Sequence, residues 1–127
     1  MLEKGLQFIS HETVRTENYA KTMGSGDLEV FATPSMVTLM ENAAMYAVVN
    51  ELPAGSTTVG ALINVMHTKP SAPGETITAC ATLQEVDGRK LTFSVTASDS
   101  QGVIGECTHV RYIVDREKFL AKLKTNS

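Results

Sequence analysis

Apolar residues recur every three or four positions between Phe31 and Asn50, which is the spacing of one buried face of an α-helix. Pro34 suits the first helical position, where its missing N–H costs nothing, and Thr33 can serve as the N-cap. A Leu-Pro-Ala-Gly-Ser cluster turns the chain directly after Asn50 and Glu51. The pattern therefore predicts a helix from Pro34 to Asn50. Its buried face comprises Met36, Leu39, Met40, Ala43 and Ala47.

Glu41 is a carboxylate within a second, otherwise apolar stripe on the flank of this helix. The stripe consists of Val37, Glu41, Ala44 and Val48. Such a carboxylate is either a rim residue in water or an acid held against the core for a chemical purpose. The helical pattern alone leaves both interpretations open.

From Thr57 to Val114 the period changes to two, which is typical of strands with one buried face. Asp87-Gly88 between two alternating runs is a hairpin signal. A further strand, partly exposed, is predicted before the helix. The five predicted strands are Thr13–Lys21, Thr57–Lys69, Thr76–Val86, Lys90–Ser98 and Val103–Val114.

The odd-numbered apolar positions of Thr57–Lys69 share one face, which consists of Val59, Ala61, Ile63 and Val65. After the last strand, Asp115 is placed to cap a short terminal helix. The apolar face of that helix is Phe119, Leu120 and Leu123.

Element lengths restrict the architecture. A helix from Pro34 to Asn50 is about 25 Å long at ~1.5 Å per residue, which matches the width of about five strands at ~4.8 Å spacing. Long antiparallel strands with one apolar face would curl around one such helix and bury it. We therefore predict an α+β fold of the hotdog type, a long antiparallel sheet wrapped around one central helix, as a single domain over residues 1–127. A single-layer sheet with long edges invites edge pairing, which predicts a homodimer.

The composition of the chain restricts the binding partners and the cellular compartment that we expect. The formal charge of −3 argues against nucleic acid or an anionic membrane as the main partner, because both demand a basic surface. The first residues resemble no secretory signal, and no apolar run approaches the ~18 residues that span a bilayer. Cys80 and Cys107 fit neither a disulfide framework nor a metal spacing, which suits a reducing cytoplasm. The three histidines also lack metal-ligand spacing, so we expect neither a metal nor a cofactor.

His67 and Gly60 are candidate chemical groups in the strand that follows the helix. His67 is in phase with Ile63 and Val65 and ends the run, where it could act as a general acid or base or simply bond a backbone carbonyl. Gly60 either weakens the strand without benefit or lets a ligand approach the backbone, which would provide an oxyanion donor.

The last strand places His109 and Arg111 in one phase with Cys107. An inward arginine would need an anionic partner, and a charged strand residue more often faces solvent. The side chains of Lys69, Arg89 and Lys90 are interpreted in the same way, with phosphate binding as the alternative. None of the common nucleotide, nucleophile-elbow or metalloprotease motifs is present in the sequence.

Several blocks resemble, in order and spacing, the fluoroacetyl-CoA thioesterase family of hotdog proteins over about residues 27–121. The resemblance does not extend to the aromatic lid of the fluoroacetyl enzyme, because residues 23–28 contain no aromatic side chain. The matching blocks are Ala32-Thr33-Pro34, Leu39-Met40-Glu41-Asn42-Ala43-Ala44, Thr57-Thr58-Val59-Gly60, Asn64-Val65-Met66-His67, Pro73-Gly74, Glu85-Val86-Asp87-Gly88-Arg89 and Ile104-Gly105-Glu106-Cys107-Thr108-His109-Val110-Arg111.

This resemblance implies an acyl-CoA thioesterase that uses no metal and forms its site at a dimer interface. The catalytic threonine, glutamate and histidine of the family fall on Thr33, Glu41 and His67. The family's substrate-binding glycine and arginine fall on Gly60 and Arg111. We expect a small or short acyl group, since Met36, Met40 and Met45 leave little room for a long one.

Two other functions compete with hydrolysis of an acyl-CoA. One is a non-catalytic acyl-CoA binding or sensing module on the same fold. The other is a hotdog hydratase or dehydratase, which usually places an aspartate shortly before the histidine. Asn64 stands in that neighbourhood, so the hydratase ranks last.

Overall fold

The computed structural model describes residues 1–125, except for the side chain of Thr125. Two single turns of 3₁₀-helix, Thr16–Asn18 and Val49–Glu51, adjoin the helices. The helices are α1 (Ala20–Met23), α2 (Thr33–Val48) and α3 (Arg116–Thr125). The strands are β1 (Gln7–Thr13), β2 (Ser56–His67), β3 (Thr76–Asp87), β4 (Lys90–Asp99) and β5 (Gly102–Asp115).

The five strands form one antiparallel sheet in the order β1-β3-β4-β5-β2, with β1 and β2 at its edges. Gly88 has a φ of 60° in the turn between β3 and β4, as the Asp-Gly hairpin signal predicts. The sheet packs against α2 through β1, β3 and β4 in particular. One long helix covered by one antiparallel sheet is the predicted arrangement, which is thereby confirmed.

The predicted main face of α2 is buried along its whole length. Met36, Met40 and Ala43 are fully inaccessible to solvent and pack on sheet residues such as Phe93 and Leu91. At Gly105 the helix approaches β5 so closely that an added Cβ would lie 2.8 Å from the Met36 Sδ and Cε atoms. The methionine side chain therefore occupies the space that a larger residue at position 105 would need.

The prediction of a first strand over Thr13–Lys21 is wrong, because the strand ends at Thr13 and the next residues form turns. Val14 and Asn18 are buried, and the Asn18 side-chain oxygen accepts a 2.9 Å hydrogen bond from the Arg15 N–H. Tyr19 then makes an isolated bridge to Phe31. Local hydrogen bonds to a side chain thus replace the strand pairing that the Val, Thr and Tyr content of this segment favours.

The predicted face of β2 is also wrong in its first half, because the strand contains a bulge. Its register against β5 shifts between Gly60 and Leu62, and one inserted residue moves the side chains before it to the other face. Thr58 and Gly60 consequently face inward with Ile63, Val65 and His67, whereas Ala61 is exposed.

The terminal helix begins where Asp115 predicts, since the Lys118 N–H donates a 2.9 Å hydrogen bond to the Asp115 carboxylate. Its apolar residues Phe119, Leu120 and Leu123 are exposed in the single chain. Among the helices of residues 1–125, none is long and apolar enough to cross a membrane.

Candidate active site

Thr33 and His67 form a polar pair at the start of α2. The Thr33 Oγ1 atom lies 2.8 Å from His67 Nδ1. Thr33 is the first residue of the helix, and Ala32 occupies the N-cap position, so the prediction of Thr33 as a side-chain cap is wrong. The threonine hydroxyl bonds the histidine at the end of β2 instead of the helix backbone.

The other ring nitrogen of His67, Nε2, lacks a hydrogen-bond partner within residues 1–125 and is enclosed by the protein. Burial lowers the pKa of His67, while a backbone group of Lys69 acts in the opposite direction. The ring is therefore neutral at pH 7, and it can carry one proton on either nitrogen.

Glu41 extends from the flank of α2 towards the bulge in β2. A Cβ added to Gly60 would lie only 2.9 Å from the Glu41 Oε2 atom. The carboxylate thus lies against the bare backbone of Gly60, and its side chain is 41% exposed. The structure combines features of both interpretations of Glu41, since the carboxylate lies beside the sheet and keeps one side open to solvent.

Arg111 lies beneath this carboxylate with 6% of its surface exposed, so the interpretation that it faces solvent is wrong. Its Nε atom donates to the Thr58 hydroxyl at 2.8 Å, and a terminal nitrogen donates to the Thr58 carbonyl at 3.0 Å. The other terminal nitrogen lies 3.9 Å from the Glu41 carboxylate. Burial lowers the pKa of Arg111, an effect that Glu41 opposes, and the guanidinium stays charged at neutral pH.

His109 is a member of this group for which the sequence predicts no role. Its Nε2 atom lies 3.2 Å from an Arg111 nitrogen and its Nδ1 atom 2.7 Å from the Leu62 carbonyl oxygen. Because arginine can only donate, Nε2 is the acceptor and Nδ1 carries the proton. Burial chiefly, with the charge of Arg111, lowers the pKa of His109 and keeps the ring neutral. Its phase with Arg111 is the one sequence signal that could have identified it.

Glu41, Thr58, Gly60, His109 and Arg111 are here called the Glu41 cluster. Cys107 lies beside it and is buried. Burial, with a smaller contribution from the charge of Glu41, raises the pKa of the Cys107 thiol to about 11. A thiol that is protonated at neutral pH is a poor nucleophile, so Cys107 is a packing residue.

The Thr33–His67 pair and the Glu41 cluster lie at opposite ends of β2 within one chain. Thr33 and Glu41 are separated by about 12 Å along the helix axis at ~1.5 Å per residue. Gly60 and His67 are about 23 Å apart along the strand at ~3.3 Å per residue. One chain therefore divides the predicted site residues between two groups, and a single thioester carbonyl cannot contact both of these groups.

Comparison with known proteins gives concordant results. A model of the family described as fluoroacetyl-CoA-specific thioesterase matches residues 14–117. The fluoroacetyl-CoA thioesterase of Streptantibioticus cattleyicolor is 44% identical over 96 residues, which cover 76% of this chain and 69% of that protein.

Solved structures agree with the sequence matches. A mutant of the fluoroacetyl-CoA thioesterase FlK in complex with acetyl-CoA superposes with a TM-score of 0.90 at 33% identity, over 99% of both chains. A hot-dog-like protein from Thermanaerovibrio acidaminovorans gives a TM-score of 0.90 at 21% identity, covering 98% of this chain and 93% of that one. The second likeness concerns the fold alone, and the chain has the hotdog fold.

Proposed function

The chain belongs to the fluoroacetyl-CoA-specific thioesterase family, and from this premise we propose that it hydrolyses small acyl-CoA thioesters with Thr33, Glu41 and His67. It is an acyl-CoA thioesterase, a hydrolase that releases a carboxylic acid and CoA. The residue assignment depends on one observation about the edge strand β2. Thr33 lies beside His67 at one end of this strand, and Glu41 lies beside Gly60 towards the other end.

Hydrolysis of a thioester needs a nucleophile, a donor to the developing oxyanion and a proton for the leaving thiolate. Glu41 supplies a carboxylate that either activates water or attacks the carbonyl carbon itself. Attack by the carboxylate would give an anhydride, which water then hydrolyses. The Gly60 N–H is the proposed oxyanion donor, since the absence of a side chain lets a carbonyl oxygen approach it.

The Thr33–His67 pair supplies the proton. If Thr33 donates its hydroxyl proton to Nδ1, the neutral ring carries a proton on Nε2. The unpartnered Nε2 can then donate to the departing sulfur and afterwards accept a proton from water. The 2.8 Å contact with Thr33 fixes the ring orientation that this exchange requires.

Two copies of the chain are needed to unite the groups. Strand β2 is an edge of the sheet, and its Leu62 and Met66 side chains are 51% and 65% exposed. Antiparallel pairing of β2 with β2 of a second copy brings the Gly60 end of one strand towards the His67 end of the other. We therefore propose a homodimer in which the Glu41 cluster of each protomer faces the partner's Thr33–His67 pair.

The packing of the helix supports a small acyl group. Met36 and Met40 are fully buried and occupy the space between α2 and the sheet. A long acyl chain entering beside Glu41 would have to displace them, at the cost of core packing. Residues 23–28 contain no aromatic side chain, so we propose acetyl to butyryl thioesters as substrates without a preference for the fluorinated one.

We also propose a cytoplasmic location. Cys80 and Cys107 are both free thiols, as expected in a reducing compartment. Acyl-CoA is likewise an intracellular metabolite.

A thiol-release assay over an acyl-CoA panel tests the proposed function. We expect turnover of acetyl-, propionyl- and butyryl-CoA and little turnover of octanoyl-CoA. Glu41→Gln and His67→Asn should each lower kcat by roughly 10²–10⁴, because each removes an acid–base group. His11→Asn is the matched control, since His11 also bonds a threonine hydroxyl, that of Thr78, but on the exposed strand β1.

The outcomes separate the alternatives. Binding of acyl-CoA without turnover of any member of the panel would mean a binding module rather than an enzyme. Wild-type turnover in both folded variants, judged by circular dichroism, would move the chemistry to other residues.

A further inference from the structure

His109 lies inside the Glu41 cluster, where the proposed mechanism gives it no role. Its ring is 1% exposed and packs on the Phe93 ring, with 6.2 Å between the two ring centroids. A polar side chain this deeply buried costs free energy unless its polar atoms are bonded. Both ring nitrogens are bonded, and their partners show what the ring holds in place.

The Nδ1 atom of His109 is anchored to the bulge of β2. It donates to the Leu62 carbonyl oxygen at 2.7 Å, and Leu62 directly follows the register shift after Gly60. Because this bond takes up the proton on Nδ1, the Nε2 atom of the neutral ring keeps its lone pair as an acceptor. The ring is thus a rigid acceptor fixed to the backbone of the edge strand.

The Nε2 atom of His109 accepts a hydrogen bond from one terminal nitrogen of Arg111. Thr58 accepts from Nε and from the other terminal nitrogen, at 2.8 Å and 3.0 Å. The nitrogen bonded to His109, at 3.2 Å, also lies 3.9 Å from the Glu41 carboxylate, which is an ion pair without a hydrogen bond. The histidine therefore sets how closely the guanidinium approaches Glu41.

We infer that His109 is a positioning residue for thioester hydrolysis, because its acceptor holds the Arg111 guanidinium near Glu41 without a direct hydrogen bond between them. The carboxylate oxygens stay free for water or for the thioester carbon, while the nearby positive charge orients the carboxylate. Without the Nε2 acceptor, the terminal nitrogen would turn to Glu41 and bond it, since a buried N–H needs an acceptor. This inference rests on the proposed function, because it takes Glu41 as the group that carries out the reaction.

Two amide variants separate the two hydrogen bonds of the ring. His109→Asn places its amide near the Nδ1 position and keeps the donor to Leu62, whereas His109→Gln places its amide near Nε2 and keeps the acceptor for Arg111. We expect His109→Asn to lower kcat for acetyl-CoA by up to about 10²-fold, the cost of moving a catalytic group by roughly 1 Å. His109→Gln should retain most of the wild-type kcat. KM should change little in either variant, because the positioning acts on the chemical step.

A double variant shows whether His109 acts through the carboxylate. In the Glu41→Gln background, His109→Asn should cause no further loss of kcat, because the group that the ring positions is already removed. Phe93→Leu is the packing control, since it loosens the core beside the His109 ring and removes no hydrogen bond. It should keep the wild-type kcat, and urea unfolding shows how far each variant is destabilised.

Each outcome decides the inference. Wild-type kcat in folded His109→Asn would overturn it and leave the proposed function intact, as would equal losses in the Asn and Gln variants. A further loss in the double variant would also overturn it, because the ring would then act by packing alone. If His109→Asn does not fold, retention of kcat in His109→Gln would support the inference and a loss would overturn it. A wild-type protein that hydrolyses no acyl-CoA would overturn the inference together with the proposed function.

Discussion

Gly60 matters because the absence of a side chain leaves space for its neighbours. A Cβ at this position would lie 2.9 Å from the Glu41 carboxylate and 3.3 Å from the His109 ring. The His109 ring has little room to yield, since it is 1% exposed and bonded at both nitrogens. The Glu41 carboxylate ends a flexible side chain that is 41% exposed, so it is the group that would move. The strand therefore tolerates a glycine where a side chain would displace a proposed catalytic group.

Gly60→Ala should consequently lower kcat by up to about 10²-fold, the cost of moving a catalytic group by roughly 1 Å. Steady-state kinetics with acetyl-CoA measures the effect, and circular dichroism checks the fold. Gly26→Ala is the matched control, because its Cβ would meet only the Ala20 methyl, at 3.3 Å. Equal activity of the Gly60 variant and the wild type would show that the carboxylate does not work at this position.

The sequence pattern predicted the orientation of some single side chains but not the residues that they contact. His67 faces inward as its phase indicates, but its contact with Thr33 depends on where α2 begins. Thr33 is a residue type that suits an N-cap, but its hydroxyl bonds His67, which is distant in the sequence. The sequence alone also could not show that Arg111 is buried, because its anchors on Thr58 exist only once β2 and β5 pair.

Among the elements, β2 limits what the alternation of residues can predict. Strand and helix bounds from β3 onward agree with the pattern to within about two residues, which is the usual uncertainty of such bounds. In β2 the bulge at Ala61 reverses the face of Val59 and brings Thr58 and Gly60 inward. An alternating pattern does not show where an extra residue is inserted. The sequence therefore predicted the inner face of β2 correctly only after the bulge, from Ile63 to His67.

The bulged region between β2 and β5 should make stability depend on pH. His109 is neutral, flanked by Arg111, the Leu62 carbonyl, the Phe93 ring and, beyond Arg111, Glu41. Its pKa is lowered in the folded state, so the unfolded chain binds the proton more tightly. The stabilisation is therefore complete above the unfolded pKa of about 6.5 and is lost as the pH falls below it. His67, whose pKa is also lowered, adds in the same direction.

We expect the free energy of unfolding in urea to fall between pH 7 and pH 5.5, by at most about 1.4 kcal/mol per pH unit for each histidine. His109→Gln should make this dependence shallower at equal protein concentration. A free energy of unfolding that is constant over this range would contradict the neutral state assigned to His109. So would an unchanged slope in a folded His109→Gln protein.

For the whole molecule, the fold was predictable because helix length, sheet width and strand alternation all indicate the same packing. The extent of one domain over residues 1–127 and the dimer remain predictions. The separation of the Thr33–His67 pair from the Glu41 cluster would give the proposed dimer a chemical purpose, since each chain would then contribute one half to each of two sites. Pairing at β2 would also cover Leu62 and Met66, which are exposed in the single chain.

Subunit complementation tests this central claim most directly. Glu41→Gln and His67→Asn chains with different tags are coexpressed, and the mixed dimer is purified through both tags. In such a dimer one site carries both substitutions and the other carries none. We predict about half of the wild-type kcat per dimer, whereas each homodimeric variant stays inactive. A mixed dimer as inactive as the two homodimers would contradict the account, because it would place Glu41 and His67 of the same chain in one site.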